Sequence, residues 1–347
     1  MEFNASAANL LNIKVDSLIL LTGSQLQNTA KLVDDSLNGA IQALIASGDF
    51  SGKLATSCIL HTPEKTSKRI ILIGTDGAST TQKMIKVIEA AASLLSKTPS
   101  KKALWIGGGL NDDHQWQASI MARSVQTSSY KYNGSSKPSK PKKLQSVTYW
   151  CAKKSQALSA AKGLAYGCAV GNGMNAARGL ADLPANICTP NYLASQAKKL
   201  GKGQAKVTTK ILKEADMKVL GMGSLLSVSA GSVEPGNLII MSYQGAPKTV
   251  KPVVLVGKAV TFDSGGISLK AGRGMDEMKF DMCGGASVFG VISALIETQL
   301  PVNVVGIVPA VENMPAGNAT KPGDVVTSMT GQTIEILNTD AEGRLIL

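Results

Sequence analysis

Histidine is scarce in this sequence, because His61 and His114 are the only two among 347 residues. Neither has a second histidine or a cysteine at metal-ligand spacing, which excludes a His-Glu-x-x-His zinc site. A Ser-His-Asp triad would have to use one of these two side chains. Hydrolytic chemistry in this protein would therefore depend on carboxylates, on lysines, or on metal ions that such groups hold.

Cysteine is also sparse and offers no metal motif. The five cysteines are widely scattered and include no Cys-x-x-Cys pair, which excludes a structural zinc site of that type. We predict that each of them is a small buried apolar residue: Cys58, Cys151, Cys168, Cys188 and Cys283.

The sequence lacks an apolar run long enough to cross a bilayer. Its acidic start, Met1–Ala5, does not follow the basic-then-apolar order of a signal peptide. These absences favour a cytoplasmic protein. Hydrophobic residues make up 44% of the chain and charged residues only 17%, so a sizeable core can be buried, and the length suits two domains.

Charge is unevenly distributed along the chain. The formal net charge is +12, yet residues 251–347 hold ten acidic and seven basic residues, or −3, which leaves +15 for residues 1–250. Acidic residues thus gather where a cation site would need them. The lysine-rich run 131–143 has two interpretations, a nucleic-acid contact or a solvated loop between strands, and its Gly, Ser and Pro content favours the loop.

Apolar periodicity predicts strands that alternate with helices, which is typical of a largely parallel sheet covered by helices. Near the N-terminus the strand candidates are 17–22, 69–74 and 103–107, with one helix through Val33 to Ile45 and another over 80–97. Farther along, buried strands are predicted at 238–241 and 253–256, another strand at 302–308, and a helix at 285–297.

Three segments follow from this pattern. Residues 1–150 form an N-terminal α/β domain, residues 151–182 form a linking helix centred on the alanine-rich stretch 155–178, and residues 183–347 form a second α/β domain. Thr189 followed by Pro190 predicts the start of a helix in the second domain, since threonine caps helices and proline suits their first turn.

Charged residues cluster after the predicted strand 253–256. Lys258 and Asp263 follow it closely, where ligands of open α/β sheets bind. Near the end of the chain, Asp340, Glu342 and Arg344 would share one face if their segment were extended, and two carboxylates side by side favour a cation between them. Taken singly, however, each such residue is more typical of a turn or a solvated surface.

Taken together, these residues resemble the leucine (cytosol) aminopeptidase family, the two-metal peptidases of family M17. The octapeptide 338–345 is the signature of that family and is highly specific. Weaker similarity reaches back to Ala177, and the N-terminal domain resembles the family's variable macro-type domain by layout. The matching segments are Gly257-Lys258, Thr261–Lys270, Met278–Met282, Asn313–Gly317, Lys321–Val325 and Asn338–Leu345.

The resemblance implies a role for each charged residue. Five residues would bind two divalent metals, Mn²⁺ or Zn²⁺ and possibly Mg²⁺, with Asp263 and Glu342 shared by both ions: Lys258, Asp263, Asp281, Asp340 and Glu342. Lysine can be a ligand only as the neutral amine, so Lys258 would have to lose its proton. Lys270 would polarise the scissile carbonyl and stabilise the oxyanion, and Arg344 would hold a bicarbonate that acts as general base.

The family likeness also implies the fold, the substrates and the assembly. We expect an α/β protein of two domains: a smaller macro-like N-terminal domain, and an α/β/α catalytic domain with a mixed central sheet, similar to zinc exopeptidases. The expected activity is removal of leucine and other apolar residues from the N-terminus of peptides by a metal-activated water. The expected assembly is a homohexamer in the cytoplasm.

Two departures from the family pattern concern residues near the site. Ala259 stands where the family commonly has glycine, and Ala271-Gly272-Arg273 replaces a proline-containing stretch, which puts substrate preference in question more than catalysis. The chain also stops at Leu347, where family members continue. We therefore expect a catalytic domain that is incomplete at its C-terminus. We also expect that residues 1–347 alone are poorly soluble and lack aminopeptidase activity, although the complete protein is an active enzyme.

Two other functions remain open from the sequence. The basic N-terminal domain could bind nucleic acid, which would give a salt-dependent interaction with duplex DNA. The protein could also be a catalytically silent homologue. In such a homologue we would expect other residues at some of the ligand positions, whereas all seven proposed site residues are present.

Overall fold

The computed structural model describes residues 1–62, 67–132, 134 and 144–347. These residues form two compact units, Met1–Gly171 and Asn172–Leu347. The lysine-rich run 131–143, with its alternative nucleic-acid interpretation, lies almost wholly outside the described residues.

The first unit contains six strands and the helices that connect them. Its strands are β1 (Glu2–Ser6), β2 (Val15–Thr22), β3 (Ser57–His61), β4 (Ser67–Gly74), β5 (Lys102–Ile106) and β6 (Ser146–Trp150). Its helices are α1 (Asn28–Ser36), α2 (Ala40–Ser47), α3 (Thr81–Ser96), α4 (His114–Ser128) and most of α5 (Lys154–Ala181).

The six strands form one sheet in the order β1-β6-β5-β2-β4-β3. All neighbouring strands are parallel except β3 and β4. Alternate residues of β2 face opposite sides: Ile19 and Leu21 pack with α3 and α4, whereas Leu18 and Leu20 pack with α1 and α2. Both faces are thus covered, as the apolar strand sequences require.

A single carboxylate, that of Asp16, fastens three strands of this sheet together. Its Oδ2 accepts the backbone N–H groups of Lys101 and Lys102 at 2.8 and 3.0 Å, and its Oδ1 lies 3.2 Å from Lys68 Nζ. Burial raises the pKa of Asp16, but the two backbone hydrogen bonds and Lys68 outweigh it and hold the pKa below its usual value.

A carboxyl group with a lowered pKa stabilises the folded chain above the unfolded pKa of about 3.9, and this contribution is lost as the pH falls through the folded pKa. We predict that Asp16→Asn lowers the free energy of unfolding at pH 7 by at most about 1 kcal/mol, because solvent screens the partly exposed group. Urea denaturation at pH 7 and pH 3 checks this. The difference should become smaller as the pH falls from 7 to 3, and Asp35→Asn, which removes an exposed carboxylate, should have no comparable effect.

The second unit has a mixed sheet and a separate hairpin. Its strands are β7 (Val207–Lys213), β8 (Asn237–Gln244), β9 (Val253–Val256), β10 (Ala259–Asp263), β11 (Asn303–Asn313), β12 (Asp324–Thr327) and β13 (Thr333–Ile336). Its helices are the end of α5, α6 (Pro190–Gly201), α7 (Glu214–Val219), α8 (Gly223–Ser229), α9 (Cys283–Thr298) and α10 (Gly343–Ile346).

Strand β11 is the centre of this sheet. It pairs antiparallel with β8, which continues to β7, and parallel with both β9 and β10. Helices α6 and α9 pack on the sheet through buried residues such as Leu193, Phe289 and Ile292. The predicted α/β class with a mixed sheet in the second domain is confirmed.

Several predictions of local structure were wrong. The single helix from Val33 to Ile45 is two helices, because Asn38 and Gly39 have φ angles of 56° and 80°, which end α1. The valines of β9 were expected to be buried, but Val253 is 59% exposed. Among the cysteines, Cys151 and Cys188 are buried as predicted, whereas Cys283 is exposed.

The segment Met275–Thr298 is long and apolar enough, by length and composition alone, to span a membrane. This differs from the expectation that no such run exists. In the structure it comprises a 3₁₀ turn followed by α9, whose Val288, Phe289 and Ile292 are buried in the core of the second unit. Its apolar character is therefore that of a core helix.

Candidate metal centre

The candidate site lies where two parallel strands of the second unit end side by side. Asp263 is the last residue of β10 and Asn313 the last residue of β11, and the two are paired in the sheet. The sequence placed Asp263 after the strand 253–256; in the structure it belongs to the next strand. The carboxyl ends of parallel strands are where α/β proteins place reactive groups.

The loop after β10 turns back on itself and brings Lys270 to Asp263. Gly265 and Gly266 have φ angles of 88° and 65°, which side chains rarely adopt. A Cβ at Gly266 would lie only 2.7 Å from Asn313 Oδ1. The turn is closed by the Lys270 N–H, which donates to the Ser264 carbonyl at 2.9 Å. Glycine at both positions is thus required by the backbone.

The two oxygens of Asp263 have different surroundings. Oδ1 accepts the Gly265 N–H at 3.0 Å and Asn313 Nδ2 at 2.9 Å. Oδ2 lies 2.9 Å from Lys270 Nζ, and the side chain is only 4% exposed. Lys270 Nζ also contacts Asp340 Oδ1. One lysine ammonium therefore stands between two carboxylates.

A second lysine, Lys258, also lies between two carboxylates. Lys258 Nζ, in the turn between β9 and β10, lies 2.8 Å from Asp281 Oδ2 and 2.5 Å from Glu342 Oε1. Asp281 immediately follows the 3₁₀ turn that precedes α9, and Glu342 immediately precedes α10. Glu342 is only 3% exposed, so its charge needs a counter-charge nearby.

The protonation of both lysines reflects these contacts. Burial lowers the pKa of Lys258 and of Lys270, but hydrogen bonds and charge attraction from their carboxylate partners outweigh it and raise both pKa values. Burial raises the pKa of Asp281, and Lys258 only partly offsets this. In this arrangement both lysines are ammonium ions.

The donor set fits a hard divalent cation. One oxygen from each of three carboxylates, those of Asp263, Asp340 and Glu342, lies within 4.8 Å of the others. Glu342 Oε2 is buried and has no hydrogen-bond partner within the part of the chain that the structure describes. Buried carboxylate oxygens without a donor are costly, and oxygen ligands suit Mn²⁺, Mg²⁺ and Zn²⁺.

Six of the seven charged residues singled out in the sequence come together here: Lys258, Asp263, Lys270, Asp281, Asp340 and Glu342. The condition considered for 340–344, an extended segment, is not met. The segment is a turn that leads into α10, and the turn, not a strand face, brings Asp340 and Glu342 to the cluster. Arg344 lies on α10, is exposed, and forms no ion pair within the described ranges.

Comparisons with known proteins agree with this geometry. The sequence model of the cytosol aminopeptidase family, catalytic domain, matches residues 175–347, and that of the N-terminal domain of the same family matches residues 18–138. The chain is 41% identical over its whole length to a probable cytosol aminopeptidase of Alcanivorax borkumensis, of which it covers 71%. It is also 41% identical to a cytosol aminopeptidase of Pseudomonas aeruginosa, of which it covers 72%.

Two solved structures resemble the whole chain. A mutant of tomato leucine aminopeptidase superposes with a TM-score of 0.87 at 30% identity, covering 100% of this chain and 69% of that one. The bottromycin maturation enzyme BotP, in complex with Mn, superposes with a TM-score of 0.76 at 26% identity, covering 95% of this chain and 66% of that one.

The family match, together with the two-domain α/β fold and the carboxylate-rich site at the strand ends, defines the class of protein as a metal-dependent aminopeptidase, a hydrolase that acts on peptides. The chain belongs to the cytosol aminopeptidase family.

Proposed function

We propose that the full-length protein, which is the form used in the experiments below, removes leucine and other apolar residues from the N-terminus of peptides, using a water activated by two divalent cations. The observation that carries the proposal is the convergence of the Asp263, Asp340 and Glu342 oxygens within 4.8 Å. We assign Lys258, Asp263, Asp281, Asp340 and Glu342 as the cation ligands, with Asp263 and Glu342 shared. When bound, the two cations would acidify a water and hold the free α-amine of the substrate.

Lys258 and Lys270 have different roles in this proposal. Lys258 lies between Asp281 and Glu342 and must give up its proton to become a ligand, so cation uptake competes with protons. We assign Lys270 as the lysine that keeps its proton, which it holds in this structure between Asp263 and Asp340. A permanent ammonium suits the polarisation of the scissile carbonyl and the stabilisation of the oxyanion that forms from it.

Arg344 is proposed to hold a bicarbonate that accepts a proton from the attacking water. Support comes from the family signature in which Arg344 lies and from its exposed position two residues after Glu342, where an anion in solution can reach it. A guanidinium binds a planar carboxylate-like anion through two parallel hydrogen bonds.

The roles of Lys270 and Arg344 differ from those of the ligands in a measurable way. We predict that Lys270→Ala lowers kcat by roughly 10²- to 10³-fold, and that Arg344→Ala also lowers kcat, while the protein retains two cations per chain. Kinetics with leucine amide and elemental analysis of the same samples check this. Lys248→Ala, which removes an exposed charge in the same unit, is the control and should change neither. Loss of metal from Lys270→Ala and Arg344→Ala would show the assignment to be wrong.

Assembly, location and domain limits remain proposals. We propose a cytoplasmic homohexamer, supported by the family likeness, and domains at 1–150 and 183–347 joined by 151–182. Light scattering of the purified protein tests the assembly.

A further inference from the structure

Asn313 is a buried amide that holds two parts of the cluster. It is 5% exposed. Its Nδ2 donates one hydrogen bond to Asp263 Oδ1 at 2.9 Å and one to the Thr339 carbonyl at 3.0 Å. Thr339 is the residue before Asp340. Both amide hydrogens of Asn313 are thus committed to residues in or adjacent to the carboxylate cluster.

The partners of Asn313 are far apart in sequence. Asp263 lies 50 positions before it and Thr339 lies 26 positions after it. Asn313 itself is fixed by the sheet, since it ends β11 and pairs with Asp263 in register. The end of β11 therefore sets the distance between Asp263 at the end of β10 and the turn that carries Asp340.

The contact also decides which oxygen of Asp263 faces the other carboxylates. Oδ1 accepts hydrogen bonds from Asn313 and from the Gly265 N–H, so a cation would bind Oδ2 in place of Lys270 Nζ, which lies 2.9 Å from it in this structure. Thr339 strengthens the same link, because its hydroxyl donates to the Gly265 carbonyl at 2.7 Å and accepts the Ser268 N–H at 2.8 Å. Hydrogen bonds of this kind orient metal ligands.

We infer that Asn313 is a positioning residue for the cation site, which fixes Asp263 and Asp340 in the geometry that binds metal. The inference rests on the proposed function, since it requires that these carboxylates bind cations. Asn313 touches no substrate in this role; it acts through its two partners.

The same strand supplies a matched control. Asn303, at the other end of β11, is also buried, and its Nδ2 donates to the Pro247 and Val250 carbonyls at 2.9 and 2.8 Å. It resembles Asn313 in residue type, burial and number of donated hydrogen bonds, but it holds a loop that contains none of the proposed ligands. Asn303→Ala therefore measures the loss of stability that follows from removing a buried, hydrogen-bonded asparagine of β11, without a change beside the proposed ligands.

The test is a titration of the metal-free protein with Mn²⁺, with thermal unfolding of each variant measured beside it. We expect Asn313→Ala, and the nearly isosteric Asn313→Leu, to raise the Kd for Mn²⁺ by about 10- to 100-fold, as is typical for loss of a ligand-orienting partner. Asn303→Ala should lower the unfolding temperature to a similar extent and leave the Kd within about twofold of the parent. Asn313→Ser, which keeps one donor, should fall between parent and Asn313→Ala.

A second readout separates positioning from general destabilisation. If Asn313 positions ligands, saturating Mn²⁺ should restore most of the kcat of Asn313→Ala, whereas a merely structural defect would not respond to the ion. An unchanged Kd in all Asn313 variants, with a parent that binds Mn²⁺ and an Asp263→Ala variant that does not, would overturn this inference alone. A parent that binds no Mn²⁺ would overturn the proposed function itself.

Discussion

Asp263→Ala is expected to abolish both cation binding and aminopeptidase activity. Asp263 is buried at the end of β10, is proposed to be shared by the two cations, and has one oxygen free of backbone or amide donors. The Kd for Mn²⁺ should rise by more than the roughly 10- to 100-fold typical of an outer-shell change. Elemental analysis and hydrolysis of leucine amide, measured on the same preparation, check this.

The variant Asp263→Asn separates the loss of a cation ligand from the loss of a side chain. The asparagine keeps the shape of the side chain, and its carbonyl oxygen can still accept from Gly265 and Asn313, but it places an amide N–H₂ where Oδ2 meets the cluster. It should fold as the parent does and still lack metal. Normal metal content in Asp263→Asn would contradict the assignment of Asp263 as a shared ligand.

Removal of the proposed cations should lower aminopeptidase activity as strongly as Asp263→Ala does. After dialysis against a strong chelator, hydrolysis of leucine amide is expected to fall below detection, and addition of Mn²⁺ or Zn²⁺ should restore it. The physical reason is that the proposed cations acidify the attacking water, and that without them the carboxylates of the cluster are paired with Lys258 and Lys270. Activity that persists after elemental analysis shows the metal to be gone would exclude the two-cation mechanism.

Local signals in the sequence predicted those elements whose causes are local. Thr189 caps α6, its side chain accepting the Tyr192 N–H, and Pro190 is the first residue of the helix, as predicted. The limits of β9 were also predicted correctly. The break between α1 and α2 was missed because the apolar spacing continues across Asn38 and Gly39, whose positive φ angles leave little trace in hydropathy.

The sequence predicted most of the residues that the structure brings together in the candidate site, but it did not predict how they are arranged. The family signature made Asp340 and Glu342 candidates, but the only geometry considered for their convergence was an extended segment, whereas the chain makes a turn there. The proximity of Lys258 to Glu342 spans 84 positions, a contact that periodicity cannot show. Asn313 was visible only as part of a matching segment; its role depends on a strand pairing that brings it beside Asp263.

The spacing of the cluster along the chain also has a consequence for its synthesis. Lys258 and Glu342 are 84 residues apart, which at about 5–20 residues per second corresponds to roughly 4–17 s of synthesis. Lys270 and Lys258, the partners that Asp263 and Asp281 have in the folded structure, are made within that interval or before it. The proposed cation site, in contrast, would be complete only after Asp340 and Glu342 have been added.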